Sequence, residues 1–140
     1  MNICICGGGN LGHVVLGVLA AQPQNRVSLL TNHPQRWADT VTVTDPNGKQ
    51  YVGKIAQITN RAEDVIPHSD IVLLCLPGFA IREELEKVRP YLSATTAVGS
   101  IVSSTGFFFE AQRLLPKEQP LFGFQRVPFI SRTTEYGRSA

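Results

Sequence analysis

Three cysteines in 140 residues are too few, and odd in number, for a disulfide framework. No CxxC pair and no Cys/His run has the spacing of metal ligands, so no metal site is expected. Cys4 and Cys6 stand two apart in one apolar run, pointing to the same face, and Cys75 lies in another; buried reduced thiols fit a cytoplasmic chain. Charge of one sign is equally scarce. Thirteen Lys and Arg against eleven Asp and Glu leave a formal net charge of +2, with no basic stripe interleaved with aromatics, which argues against nucleic acid as a partner. No apolar segment reaches the length of a membrane span, and Met1 leads into the first apolar run without a charged leader. Neither membrane insertion nor export is therefore expected. Internal repeats and low-complexity stretches are also lacking.

What is present suits one compact α/β domain. Hydrophobic residues make up 43% of the chain. A chain of this length buries about two-thirds of the surface it exposes when unfolded, so one core needs no covalent staple. Residues 2–6, "NICIC", read as a buried strand; "LGHVVLGVLAAQ" from Leu11 carries helical spacing until Pro23 and Asn25; and "RVSLLT", 26–31, is a second strand. Two β-rich arms then flank Asp45-Pro46-Asn47-Gly48, a turn in which Pro presets φ and Asn-Gly accepts φ > 0, so a β-hairpin insertion is predicted, feeding a third sheet strand near Ala56–Thr59. "AEDVIP" reads as a short helix.

"DIVLLCLP", 70–77, is a continuous apolar run of the kind that fills a central parallel strand. "FAIREELEKVRPYL" follows as an amphipathic helix with Ile81, Leu85 and Val88 inward and Glu83, Glu84 and Glu86 on the solvated face. A fifth strand over "TTAVGSIVSS", a helix over "FFFEAQRLL" and a sixth strand over "LFGFQRV" complete the alternation. Such an alternation implies a doubly wound, mostly parallel sheet of about six strands, a Rossmann arrangement, with ligands beyond the carboxyl ends of the strands. The domain is expected over 1–127, with 128–140 a tail lacking a clear period.

Gly7, Gly9 and Gly12 fit GxGxxG, set directly after a strand and opening a helix. In that setting the first glycine makes the tight turn, the second admits a pyrophosphate to the backbone, and the third lets helix and strand pack closely; plain strand-to-helix packing uses similar turns. Free N–H groups at Asn10, Leu11 and Gly12 would face the phosphates. NAD-selective sites usually carry Asp or Glu at the end of the second strand, where this chain has Thr31 and Asn32. No carboxylate there repels a 2′-phosphate, and Arg36 either helps hold that group or merely faces water. NADP is therefore the preferred cofactor, with NAD as the other. Leu76, Pro77 and Gly78 end the central strand at the same edge, either to let backbone pass a nicotinamide ribose or as an ordinary turn.

A catalytic set is missing. His13, beside the glycine turn, His33 and His68 read as surface or packing histidines, and no Lys or carboxylate stands where a proton would be transferred. Phe107, Phe108 and Phe109 cannot all point into one core, since successive helical positions differ by about 100°. One projects outward, and with the apolar stretch Val127–Ile130 it suggests a surface for another domain or for self-association.

"ICICGGGNLGH", "LLTNHPQRW", "DIVLLCLPGFAIREELEKVRPYL" and "FGFQRVPFISRTTEYG" resemble successive segments of the N-terminal domain of the octopine/nopaline (opine) dehydrogenase family, almost end to end. The resemblance implies an NAD(P)H-binding Rossmann domain serving the reductive condensation of an α-keto acid with an amino acid, with a His/Asp pair in a helical second domain beyond the region matched. Residues 128–140 would lead toward that absent domain, and the chain alone would turn over little substrate. Ser104, where some members carry Gln, and Ser131 are the substrate-facing positions that the resemblance implies. A stand-alone NAD(P)-sensing module and a relative of glycerol-3-phosphate dehydrogenase or ketopantoate reductase are the rival readings.

Overall fold

The computed structural model describes residues 1–140, except the side chain of Thr105. Eight strands form: β1 (Asn2–Cys6), β2 (Arg26–Leu30), β3 (Thr40–Thr44), β4 (Gln50–Lys54), β5 (Gln57–Thr59), β6 (Ile71–Leu74), β7 (Ala97–Ser100) and β8 (Leu121–Gly123). Three α-helices accompany them: α1 (Asn10–Ala20), α2 (Gly78–Val88) and α3 (Phe107–Leu114). The main sheet has six strands in the order β5-β2-β1-β6-β7-β8, and every pairing in it is parallel. The expected Rossmann fold is thus present. Sheet growth reverses between β1 and β6, which opens a crevice at the carboxyl edge, where the glycine turn and the Leu76-Pro77-Gly78 turn both emerge.

Alternation along β1 sorts its side chains between two cores. Cys4 and Cys6 join Leu30, Leu74, Ile81, Leu85, Val88 and Phe107 beneath α2 and α3. Ile3 and Ile5 join Val15, Leu16, Leu29, Trp37, Val41 and Val43 beneath α1 and the hairpin. Each fully buried Leu, Ile or Phe contributes about 1.5–3 kcal/mol of transfer free energy, so both faces stabilise the sheet without covalent links. All three cysteines are free and buried.

The inserted hairpin pairs β3 with β4 antiparallel around the Asp45–Gly48 turn, in which Asp45 Oδ1 accepts the Asn47 and Lys49 N–H groups at 2.8 and 3.0 Å. It lies on α1 in near-backbone contact. A Cβ on Gly17 would stand 2.5 Å from Val43 Cγ2, and one on Gly53 would stand 2.5 Å from the Gly17 carbonyl oxygen.

Three expectations change in detail. "AEDVIP" forms two 3-10 turns, Ala62–Asp64 and Ile66–His68, because Pro67 lacks the N–H that a continuing helix needs. The sixth sheet strand is shorter than 121–127 and stops at Gly123. The tail is more integrated than its missing period suggested. Residues 133–140 turn back against the hairpin, with the Thr42 N–H donating to Arg138 O at 2.8 Å and the Ala140 N–H to Thr42 O at 3.1 Å. Among the described residues, no helix is long and apolar enough to cross a membrane.

Candidate functional site

Register sets the site. Cys6 is opposite both Leu30 and Leu74, so β1, β2 and β6 end level with one another. The ladder runs one residue further, through Gly7 N–H to Leu30 O at 3.2 Å and Cys75 N–H to Cys6 O at 2.8 Å. Gly7, Thr31 and Leu76 are thereby brought to one rim.

The three motif glycines have different reasons. Gly7 has φ +114°, a left-handed backbone, and a Cβ there would stand 2.7 Å from Cys75 O. A Cβ on Gly12 would collide with the Gly7 carbonyl oxygen, so this glycine sets how closely α1 approaches β1. Gly9 has neither reason. Its φ of −80° and ψ of −173° suit any residue, and a Cβ there would meet nothing within 4 Å. The space above Gly9 is open, and the folded protein itself does not call for glycine there. Gly9 is also the N-cap of α1, where no side chain caps the free N–H groups and no acid occupies the first turn. The positive end of an eleven-residue helix therefore faces that open space without a protein anion to meet it.

Two clefts flank the turn. One, of about 190 Å3, is lined by Gly7, Gly8, Leu30, Thr31, Asn32, His33, Leu76, Glu84, Lys87 and Tyr136. The other, of about 420 Å3 and mostly apolar, is lined by Gly9, Asn10, Leu11, Cys75, Leu76, Pro77, Gly78 and Val102. Leu76 is common to both. Of the residues anticipated from sequence, Gly7, Thr31, Asn32 and Leu76 meet in the first cleft, and Gly9, Asn10, Leu11, Leu76, Pro77 and Gly78 in the second. Gly12 lies behind them. Arg36 lines neither: its guanidinium stacks over the Tyr136 ring, 4.1 Å from the centroid, at the rim of the first cleft. Ser104 is exposed in the 3-10 turn Ser103–Thr105. Ser131 lines a separate groove with Val14, Val43 and Tyr51. Neither serine borders the two clefts.

His13 is a packing histidine, and its role is specific. Nδ1 lies 2.8 Å from the Gly9 carbonyl and must carry the proton, so Nε2 accepts the Gly137 N–H at 2.8 Å. The ring stacks on Trp37 at 4.2 Å and meets Tyr136 edge-on at 5.0 Å. Burial pushes its pKa down, against a smaller opposing effect of the Gly9 bond. It has no nitrogen to spare for proton transfer. Burial likewise pushes the Cys75 thiol up to about 12, so the sulfur beside the second cleft stays protonated and is a poor nucleophile.

The tail supplies part of the site. Thr133 N–H donates to Asn10 Oδ1 at 2.9 Å, and a Cβ on Gly8 would stand 2.8 Å from the Tyr136 hydroxyl and 3.1 Å from Trp37 Cζ2. Gly8 and Tyr136 were not anticipated. Nor was Glu84, which was assigned to the solvated face of α2 and instead borders the first cleft, half-buried. The signal was available, because position 84 is three past Ile81 and four before Val88, within the buried stripe of that helix. Burial raises the Glu84 pKa, partly offset by the nearby Lys87 ammonium and Cys6 thiol.

The expected resemblance is borne out. The chain is 29% identical to a tauropine dehydrogenase of Arabella iricolor over 98% of its own length and 38% of that protein. It is 29% identical to the octopine dehydrogenase of Pecten maximus over 99% of this chain and 38% of that enzyme. A solved octopine dehydrogenase in complex with NADH and agmatine superposes with a TM-score of 0.86 at 28% identity, again over 99% of this chain and 38% of the other. The chain thus spans little more than a third of the length of these relatives. A putative 2-dehydropantoate 2-reductase from Enterococcus faecalis, at 18% identity and a TM-score of 0.73, shares the fold. A family profile described as "Ketopantoate reductase PanE/ApbA" matches residues 3–133, nearly the whole chain, and the protein belongs to that family.

Proposed function

We propose that this chain is the NAD(P)-binding part of an oxidoreductase of opine dehydrogenase type, in which an α-keto acid and an amino acid condense and the resulting imine is reduced. The bare, open backbone at Gly9 carries the reading, because nothing in the folded chain explains it and a diphosphate held by the α1 N–H groups does. Gly9, Asn10, Leu11 and Gly12 would hold the phosphates. Thr31, Asn32 and Gly8 would receive the adenosine ribose, and Leu76, Pro77 and Gly78 would flank the nicotinamide end. When bound, the dinucleotide supplies the hydride. This chain's own residues bind and orient it: the second cleft is mostly apolar and shields one face of the ring, while His13 and Trp37 fix the turn and Tyr136 borders the first cleft.

NADPH is the proposed preference. No acid stands at Thr31 or Asn32 to repel a 2′-phosphate, and the Arg36 and Lys87 charges lie at or in the adenosine cleft. Three free cysteines accord with a reducing, cytoplasmic compartment. Residues 128–140 are proposed to lead toward a substrate domain that carries the proton donor. Phe79 (89% exposed), Phe109 (75%) and Ile130 (105%) supply apolar surface for that domain or for a second copy. The family match favours a second reading, a ketopantoate reductase-type enzyme using the same dinucleotide half.

The single tryptophan, Trp37, packs against the glycine turn and reports on the site. Titration of NADPH and NADH should quench its emission with micromolar affinity, NADPH binding more tightly. Binding of neither defeats the proposal, and tighter NADH binding reverses the stated preference.

A further inference from the structure

Glu84 is a carboxylate set in the buried stripe of α2, facing a cleft that the ends of β1 and β2, the turn after β6, Lys87 and Tyr136 complete. A half-buried carboxylate needs donors, and this one has little from the protein. Among the described residues it joins no ion pair, and the polar side chains that act on it are the Cys6 thiol, Lys87 and the like-charged Glu83. Lys87 lines the same cleft one turn further along α2 and eases its ionisation through space.

The cleft's geometry decides what would meet it. With the diphosphate at the start of α1 and the ribose at the end of β2, the purine is the part of the ligand left to reach the α2 wall. An adenine ring presents a neutral N–H donor at its exocyclic amino group, with the N1 acceptor beside it. Glu84 and Lys87 present an acceptor and a donor on one helical face.

Resting on the dinucleotide reading above, we propose that Glu84 is a specificity-determining residue that accepts a hydrogen bond from the adenine amino group and selects adenine over purines carrying an oxygen there. A hypoxanthine ring carries a carbonyl oxygen at that position and a proton on N1, so donor and acceptor exchange places and, in the register that meets the amino group, the carboxylate faces a lone pair and the ammonium an N–H. An unmatched charged acceptor disfavours the wrong base by roughly tenfold or more.

The test compares the reduced dinucleotide that binds more tightly, NADH or NADPH, with its hypoxanthine counterpart, by Trp37 quenching on the 140-residue chain. Wild-type protein should bind the adenine form at least tenfold more tightly. Glu84→Gln, whose amide both donates and accepts, should bring the ratio within about threefold while remaining folded by circular dichroism. A wild-type ratio near one, or a Glu84→Gln ratio equal to that of wild type, overturns the assignment of Glu84 and leaves the dinucleotide reading standing. The wild-type ratio decides even where the variant fails to fold. Failure of the folded wild type to bind either adenine dinucleotide overturns both.

Discussion

Replacing Gly9 by Ala separates two explanations of the glycine turn. If the turn serves only strand-to-helix packing, every motif glycine should matter to stability. If Gly9 is bare for a ligand, its replacement should spare the fold and damage binding. The backbone at Gly9 is extended and a Cβ there meets nothing within 4 Å, so no steric cost arises. Ala lowers the entropy of the unfolded chain, which stabilises by about 0.4–1 kcal/mol. Against this, Ala is a poorer N-cap than Gly, by roughly 0.5–1 kcal/mol. The two nearly cancel, and the melting temperature should stay within about 4 °C of wild type. Gly12→Ala is the control, since its Cβ would collide with the Gly7 carbonyl and the backbone must shift, at about 1–3 kcal/mol or more. For binding, a methyl group above Gly9 that displaces one charge-assisted N–H contact to a phosphate, worth about 1.5–3 kcal/mol, weakens affinity about tenfold to a hundredfold. Thermal denaturation and Trp37 titration with NADPH measure both effects. Gly9→Ala with wild-type affinity, or with a loss of stability like that of Gly12→Ala, refutes the reasoning.

His13 is held neutral, its pKa lowered by burial below 6.5, so its contribution to stability is complete above that value and declines as the pH falls through the folded pKa. Thermal melts should therefore show a loss of stability as the pH falls below about 6.5 that His13→Gln flattens. Glu84 has the opposite sign: its raised pKa disfavours folding once the group ionises. Glu84→Gln should raise the melting temperature at pH 7, and the gain should vanish as the pH falls below about 4. Tyr136→Ala removes a half-buried ring packed on Trp37 and His13 and under Arg36, and should cost about 2 kcal/mol in urea denaturation and shift Trp37 emission to the red.

The sheet was legible because its signals are local and repeated. β1 and β6 are short apolar runs ending in glycine or proline turns, and the Asp45–Gly48 turn announces the hairpin. The glycine turn was legible for the same reason: a glycine pattern, a preceding strand and a following helix lie within about twenty residues. What escaped depends on contacts distant in sequence. The tail is placed by backbone bonds to Ala38, Thr42 and Thr44 and by contacts to Asn10 and His13, all about a hundred residues distant, rather than by a repeating apolar face, so no periodicity could reveal it. Glu84 stands between Glu83 and Glu86 and takes on their solvated character unless its register with Ile81 and Val88 is counted. Arg36 was read against a phosphate, yet its ring partner Tyr136 lies a hundred residues further on.

The imidazole of residue 13 joins the Gly9 carbonyl to the amide of Gly137, which lies 124 positions beyond the histidine along the polypeptide. During synthesis, the first βαβ unit emerges early and can begin to pack as translation proceeds. Its glycine bend, however, must wait until residues 133–140 have been translated before its supporting wall exists. A nascent chain stalled near residue 125 would carry every motif glycine and still lack the prop that holds them in place.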